Sequence, residues 1–195
     1  MIITKKDLKS YLSDTKKVYH KSTPKTLKEM INRYVFPDSN YKYMYTLRKY
    51  EYHYNNRGGI HTFLIWYYAR KLAKWRYRTG IELMANVAGR GLHIPHGKVV
   101  INARTKIGDN CKIYSDVTIG IHGRYDMDGA PEIGNRVFIG SGARIIGNIR
   151  IADDIVIGAN TVVVHDILEP GITVGGIPAR KICNKGSYEY LNREK

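Results

Sequence analysis

The chain has 195 residues, an ordinary apolar content of 43% and a formal net charge of +15. That length fits one large domain, or a small one joined to a regular one, and no stretch approaches the roughly 18–20 apolar residues that cross a bilayer. The N-terminal MIITKKDLKSYLSD lacks the apolar core of a signal peptide, so a cytoplasmic location is expected. Cys111 and Cys183 form neither a CxxC pair nor a His/Cys cluster, which argues against a disulfide framework and a structural metal. Cys111 sits at a position that usually takes a small packing side chain, and plain burial is its expected role.

Charge is unevenly spread. Up to Arg90 there are 19 Lys and Arg against 6 Asp and Glu, a balance of +13; from Gly91 onward there are 13 against 11, or +2. The first half is therefore expected to meet something anionic: a membrane face, an acidic glycan, nucleic acid or an acidic partner.

The first half reads as helical. Thr4 opens a T-x-x-D capping-box variant ahead of Leu8, Tyr11 and Leu12. Thr23-Pro24 suits a helix start, with Leu27, Met30, Ile31 and Tyr34 following at helical spacing. Pro37-Asp38-Ser39-Asn40 breaks that helix, a further one is predicted over about 41–54, and Arg57-Gly58-Gly59 is a second break. The strongest helical signal is IHTFLIWYYARKLAKWRYR, where Ile60, Phe63, Leu64, Tyr67, Tyr68, Lys71, Leu72 and Trp75 keep a 3, 4, 3, 4 rhythm. Its C-terminal half is crowded with Arg70, Lys71, Lys74, Arg76 and Arg78, a sign that suits the helix dipole. This helix could cover the end of the second half or a neighbouring subunit, or rest on an anionic bilayer. Its tyrosines could also stack on bases, but no nucleic-acid-binding signature is present.

The chain's character changes around GLHIPHGK, residues 91–98, where His93 and His96 stand three apart. Beyond it an aliphatic residue returns every sixth position: Ile101, Ile107, Ile113 and Ile119, then Ile133, Ile139, Ile145, Ile151, Ile157 and Val163. Gly108, Gly120, Gly134, Gly140 and Gly158 follow several of them, and smaller residues such as Val117, Val137, Ala143 and Thr161 come four places after. No helix has a period of six. A six-residue unit fits a short strand and a corner, and three units close a triangular coil, so a β-solenoid is predicted with the recurring aliphatics inside. The glycines are expected to serve corner conformations that a Cβ would hinder. One excursion, at about 120–132 within GIHGRYDMDGAPE, interrupts the run, since Ile119 and Ile133 are 14 apart. Loops on rigid scaffolds commonly carry function.

NVAGRGLHIPHGKVVIN, the hexapeptide run, the excursion ending in GAPEIG and the closing VGGIPARKI together resemble the left-handed β-helix acyltransferases. Within them the chain is most similar to the serine O-acetyltransferase branch, including relatives from capsule and exopolysaccharide biosynthesis. The resemblance implies a basic α-helical region over 1–82, a left-handed parallel β-helix over 83–183 and a tail over 184–195. It further implies a homotrimer, acetyl-CoA as donor in a groove between neighbouring solenoids, no metal, and a histidine as general base. The family's catalytic histidine matches His96, whereas His93 falls on an aliphatic position of the pattern. A hydroxyl needs such a base to attack a thioester, and histidine's ordinary pKa suits the task. The distance from His96 to Ile101 is one residue shorter than in typical serine acetyltransferases.

The resemblance also places Gly120, Gly140, Ser141, Gly142, Gly158 and Ala159 along the pantetheine arm, with Arg180 and Lys181 at the nucleotide phosphates. Solenoid geometry alone would account for most of the glycines. At the acceptor side the chain departs from the serine enzymes. Pro95 stands where they carry an aspartate, and Gly129-Ala130 where they carry an Arg-His pair. His122 and Arg124, earlier in the excursion, could serve the acceptor or CoA, or be solvated. A site for free serine should pair both of its charges. The sequence therefore points to acetylation of a saccharide hydroxyl in capsular or exopolysaccharide biosynthesis, cytoplasmic and peripheral at the inner membrane face. Serine acetylation in cysteine biosynthesis and a catalytically retired scaffold are the alternatives.

Overall fold

The computed structural model describes residues 1–20, 26–35, 38–123 and 129–192. The chain divides into two compact units, Met1–Thr79 and Gly80–Lys195.

The first unit is built of α1 (Lys5–Tyr19), α2 (Leu27–Val35), α3 (Ser39–Asn55) and α4 (Ile60–Thr79). The expected capping box is present: Asp7 N–H donates to Thr4 Oγ1 at 3.0 Å, and Thr4 N–H donates back to Asp7 Oδ2 at 2.8 Å. The predicted helix start at Thr23-Pro24 lies outside the described residues. Asp38 caps α3 by accepting from the N–H groups of Asn40 and Tyr41. Helices α1 and α4 both pack on α3. Tyr43, Met44 and Leu47 of α3 are buried, together with Ile2 ahead of α1.

The same packing encloses an ion pair. Arg48 donates to Glu51 Oε2 at 2.9 Å with both side chains 2% exposed, and the Arg48 guanidinium lies 5.1 Å from the centre of the Tyr11 ring. Between α3 and α4, His53 Nδ1 and His61 Nδ1 approach to 2.9 Å, and His53 stacks on Tyr68. Burial first, then His61 and Lys49, holds the His53 imidazole below its ordinary value.

The second unit is a three-sided parallel β-helix. Its first coils are β1 (Ile81–Glu82), β2 (Val99–Ile101), β3 (Lys106–Ile107), β4 (Lys112–Ile113) and β5 (Thr118–Gly120). After the excursion come β6 (Glu132–Ile133), β7 (Phe138–Ile139), β8 (Arg144–Ile146), β9 (Arg150–Ile151), β10 (Val156–Ile157) and β11 (Val162–Val163). Then β12 (Thr173–Gly175), β13 (Arg180–Cys183) and the short α5 (Tyr188–Asn192) close the unit. The faces are the sheets β1-β2-β5-β8-β11, β3-β6-β9 and β4-β7-β10-β12-β13, parallel except for the last pair. Each recurring aliphatic stacks on its counterpart a coil away: Ile101 on Ile119 on Ile145, Ile107 on Ile133 on Ile151, Ile113 on Ile139 on Ile157. All are buried, as are Cys111, Val117, Val137, Ala143 and Thr161 beside them. Burial pushes the Cys111 thiol up to about 12, which fits a packing role.

The glycine expectation is corrected. None of Gly108, Gly120, Gly134, Gly140 and Gly158 takes a left-handed φ; in this unit such angles fall on Asn86, Asn110, Asp116, Asp154 and Asn160, on Lys98 and Arg136, and on other glycines such as Gly91 and Gly142. Gly108, Gly134 and Gly140 have ordinary φ; they are glycine because the next coil is too close. A Cβ on Gly108 would meet Gly134 O at 2.6 Å, and one on Gly140 would meet Ala159 N at 2.7 Å. A ladder of side chains caps one corner. Arg90 N–H donates to Asp109 Oδ1 at 2.7 Å, Asp109 N–H to Asn135 Oδ1 at 2.8 Å, and Asn135 N–H to Asp153 Oδ1 at 2.8 Å.

Replacing Glu51 by Ala removes the carboxylate partner of a buried guanidinium and should destabilise the helical unit by about 3–5 kcal/mol in denaturant melts. Lowering pH should weaken this unit as well. The folded His53 value lies below the unfolded one, so the contribution is complete above about pH 6.5 and is lost as pH falls below it. His53→Gln should flatten that part of the pH dependence of Tm.

Candidate active site

His96 lies on a bend between the inward residue Ile94 and strand β2. Ile94 and Ile101 are both buried and seven residues apart, where the regular corner between Ile113 and Ile119 spans six. The corner thus holds one additional residue, Lys98 takes φ 61° as Asp116 takes φ 60° in the regular corner, and the His96 side chain stands exposed. His93 has a different place. Its backbone is part of the ladder, donating to Cys111 O and accepting from Ile113 N, each at 2.9 Å, and its side chain is half-buried.

The His96 ring lies 5.8 Å from the ring of Tyr114, tilted by 52°. Tyr114 in turn contacts Phe138 at 5.3 Å, and Phe138 contacts Tyr190 of α5 at 4.9 Å. The buried Lys112 places its ammonium 5.3 Å from the Tyr114 ring centre. The tail reaches this wall because it is fastened. Ser187 is fully buried, its hydroxyl donates to Arg136 O, and its N–H donates to Asp154 O at 3.1 Å. Sequence reasoning missed Tyr114 and Tyr190. The available signal was that Tyr114 follows Ile113 where Gly follows Ile107, Ile119, Ile133, Ile139 and Ile157.

Strand register arranges the other expected residues in one line. Tyr114, Gly140, Gly158 and Gly175 each follow the matched pair positions Ile113, Ile139, Ile157 and Val174, and Gly175 pairs with Arg180. Four inter-strand steps separate Tyr114 from Arg180, a run of about 19 Å. The corners beside this line hold Ser141 and Ala159. Among the described residues, neither backbone N–H has a hydrogen-bond partner, unlike the capped corner at Asp109 and Asn135. The line therefore presents amide donors without partners among the described residues, between an exposed imidazole at one end and an exposed arginine at the other.

The glycines separate into two kinds. Gly140 and Gly142 are forced by the coil itself: a Cβ on Gly142 would lie 2.0 Å from Asn160 Oδ1, and its φ is +76°. At Gly158 and Gly120 a Cβ would have no neighbour nearer than 3.4 Å and 4.0 Å, so the coil does not require glycine there. Lys181 is engaged with Glu169 at 2.5 Å, while Arg180 has no ion pair among the described residues. His122 is exposed, and Arg124 lies outside the described residues. At the acceptor side, Ala130 is buried and a Cβ on Gly129 would sit 2.1 Å from Asn148 Cγ. No group of three or more His, Cys, Asp or Glu able to hold a metal occurs among the described residues.

Comparison with known proteins places this arrangement. No family model matches the chain. A serine acetyltransferase of Helicobacter pylori is 43% identical over 126 residues, covering 63% of this chain and 73% of that protein. One of Synechococcus elongatus is 40% identical over 113 residues, or 57% of this chain and 46% of its own length. Among solved structures, the Neisseria gonorrhoeae serine acetyltransferase superposes with a TM-score of 0.71 at 24% identity, covering 97% of this chain and 70% of that one. A Brucella abortus serine acetyltransferase in complex with coenzyme A gives 0.70 at 25% identity, covering 93% and 70%. The fold is thus the left-handed β-helix of the hexapeptide acyltransferases, with an N-terminal helical region. The chain belongs to the serine acetyltransferase family.

Gly140→Ala should be destabilising by about 1–3 kcal/mol, because the facing atom is backbone and cannot swing away. Gly158→Ala should leave stability within about 0.5 kcal/mol of wild type while raising the KM for acetyl-CoA. Thermal melts and donor titrations on the pair separate coil geometry from ligand approach.

Proposed function

We propose that the chain is an acetyl-CoA-dependent O-acetyltransferase with His96 as general base and the hydroxyl of serine as acceptor. Its donor is acetyl-CoA. The observation that carries the reading is the line from the exposed His96 through Gly140, Ser141, Gly158 and Ala159 to Arg180, in a chain 43% identical over 126 residues to a serine acetyltransferase. Backbone N–H groups of Ser141 and Ala159 hold the amide carbonyls of the pantetheine arm, and Arg180 meets the nucleotide phosphates. Lys181 joins only by releasing Glu169. His96 accepts the acceptor's hydroxyl proton as its oxygen bonds to the thioester carbon; the carbon–sulfur bond then breaks, and the proton passes to the departing thiolate. Tyr114 walls the imidazole on one side. The enzyme works as a homotrimer, with the groove completed by a neighbouring copy, and the basic helical unit meets an anionic partner.

This reading replaces the saccharide acceptor as the first choice, because the relatives are serine acetyltransferases. One observation keeps a saccharide hydroxyl as the second reading. Pro95, Gly129 and Ala130 offer no charge, and Gly129 is packed against Asn148 without room for a side chain. An ammonium or carboxylate left without a partner there would weaken binding.

Coenzyme A release by the purified chain should be stimulated by L-serine, and His96→Ala should lower turnover by about 10²–10⁴-fold with folding intact. Turnover with saccharides and none with serine would move the assignment to the second reading. Undiminished turnover in His96→Ala would remove His96 from the mechanism.

A further inference from the structure

Helix α4 carries a face that acetyl transfer does not use. Its inner side packs on α3, where Tyr68 lies against His53 and under the Lys49 ammonium. On the outer side Phe63, Tyr67, Arg70, Lys74 and Tyr77 succeed one another at spacings of four and three, and Trp66 lies three after Phe63 and four before Arg70, so the six form one stripe. Phe63 is 70% exposed, Trp66 78% and Tyr77 93%. Large exposed aromatics gathered in one patch mark an interaction surface.

Charge selects the occupant. Helix α4 contains Arg70, Lys71, Lys74, Arg76 and Arg78 and no Asp or Glu. Over residues 1–79 there are 18 Lys and Arg against 5 Asp and Glu, a balance of +13. A second copy would bring the same sign against this helix. An anionic bilayer brings the opposite sign and has an interfacial layer where aromatic rings reside beside basic side chains. Cations and rings are already interleaved, with Lys71 Nζ 4.5 Å from the Tyr67 ring centre and Arg78 5.5 Å from that of Trp75. No helix among the described residues is long and apolar enough to cross a membrane, so α4 would lie along the surface.

We propose that α4 docks the protein peripherally on an anionic lipid bilayer, with Phe63, Trp66 and Tyr67 among the headgroups and Arg70 and Lys74 against their phosphates. The inference is independent of the acceptor. Since the chain has two tryptophans, Trp75→Phe leaves Trp66 as the sole reporter. The full chain carrying that change is titrated with phosphatidylcholine vesicles, with and without phosphatidylglycerol. A blue shift of Trp66 emission and co-sedimentation are expected only with phosphatidylglycerol, reversed by added salt and lost in Arg70→Glu/Lys74→Glu. Coenzyme A release by that double variant without vesicles should match wild type, which verifies its fold. Equal response to both vesicles, or to neither, overturns the proposal. So does a blue shift that grows with protein concentration without lipid, which would identify a second copy, or one produced by RNA and not by vesicles.

Discussion

Everything in the β-helix follows from how closely one coil presses on the next. Strands of neighbouring coils are hydrogen-bonded in register, so side chains inside the prism meet their own kind every coil. Ile113, Ile139 and Ile157 stack because the backbone leaves them no alternative. The same pressure removes the Cβ at Gly108 and Gly140, and turns corners onto asparagine and aspartate in the left-handed region. It also lets Asp109, Asn135 and Asp153 cap one another's neighbours down a corner.

The proposed function uses the places where this regularity is relaxed. The corner at His96 has one residue beyond the hexapeptide count, and its imidazole is exposed. The corners at Ser141 and Ala159 lack the side-chain caps seen at Asp109 and Asn135, and their amides stay available. Tyr114 replaces the small residue of its column and forms a wall beside His96, braced through Phe138 by Tyr190 from the tail. A rigid stack thus holds these groups in a fixed order along one sheet.

Much of this was legible in the sequence because period six survives in it undisguised. The aliphatic columns, the excursion between Ile119 and Ile133, and the distinction between His93 and His96 could all be read from spacing and resemblance. The reason for the glycines could not. Spacing reveals that a position lacks a side chain, but whether φ or a neighbouring coil forbids it depends on the stacking distance. The first strand begins at Ile81, two residues ahead of the boundary at 83, because Ile81 pairs with Val99 although no isoleucine rhythm announces that coil. The Arg48–Glu51 pair and the His53–His61 contact were hidden for a similar reason: both depend on packing around α3, which helical periodicity does not specify. The acceptor side illustrates a different limit. Pro95, Gly129 and Ala130 are departures visible in the sequence, yet the relatives argue for serine, and a missing charge does not by itself name what replaces it.

In the proposed mechanism one line of residues, from His96 to Arg180, holds the acyl donor. A crystal structure with coenzyme A bound tests it most directly. The thiol is expected beside His96, the pantetheine arm against the amides of Ser141 and Ala159, and the nucleotide phosphates at Arg180. A thiol lying away from His96, or an arm on another face of the prism, would contradict it.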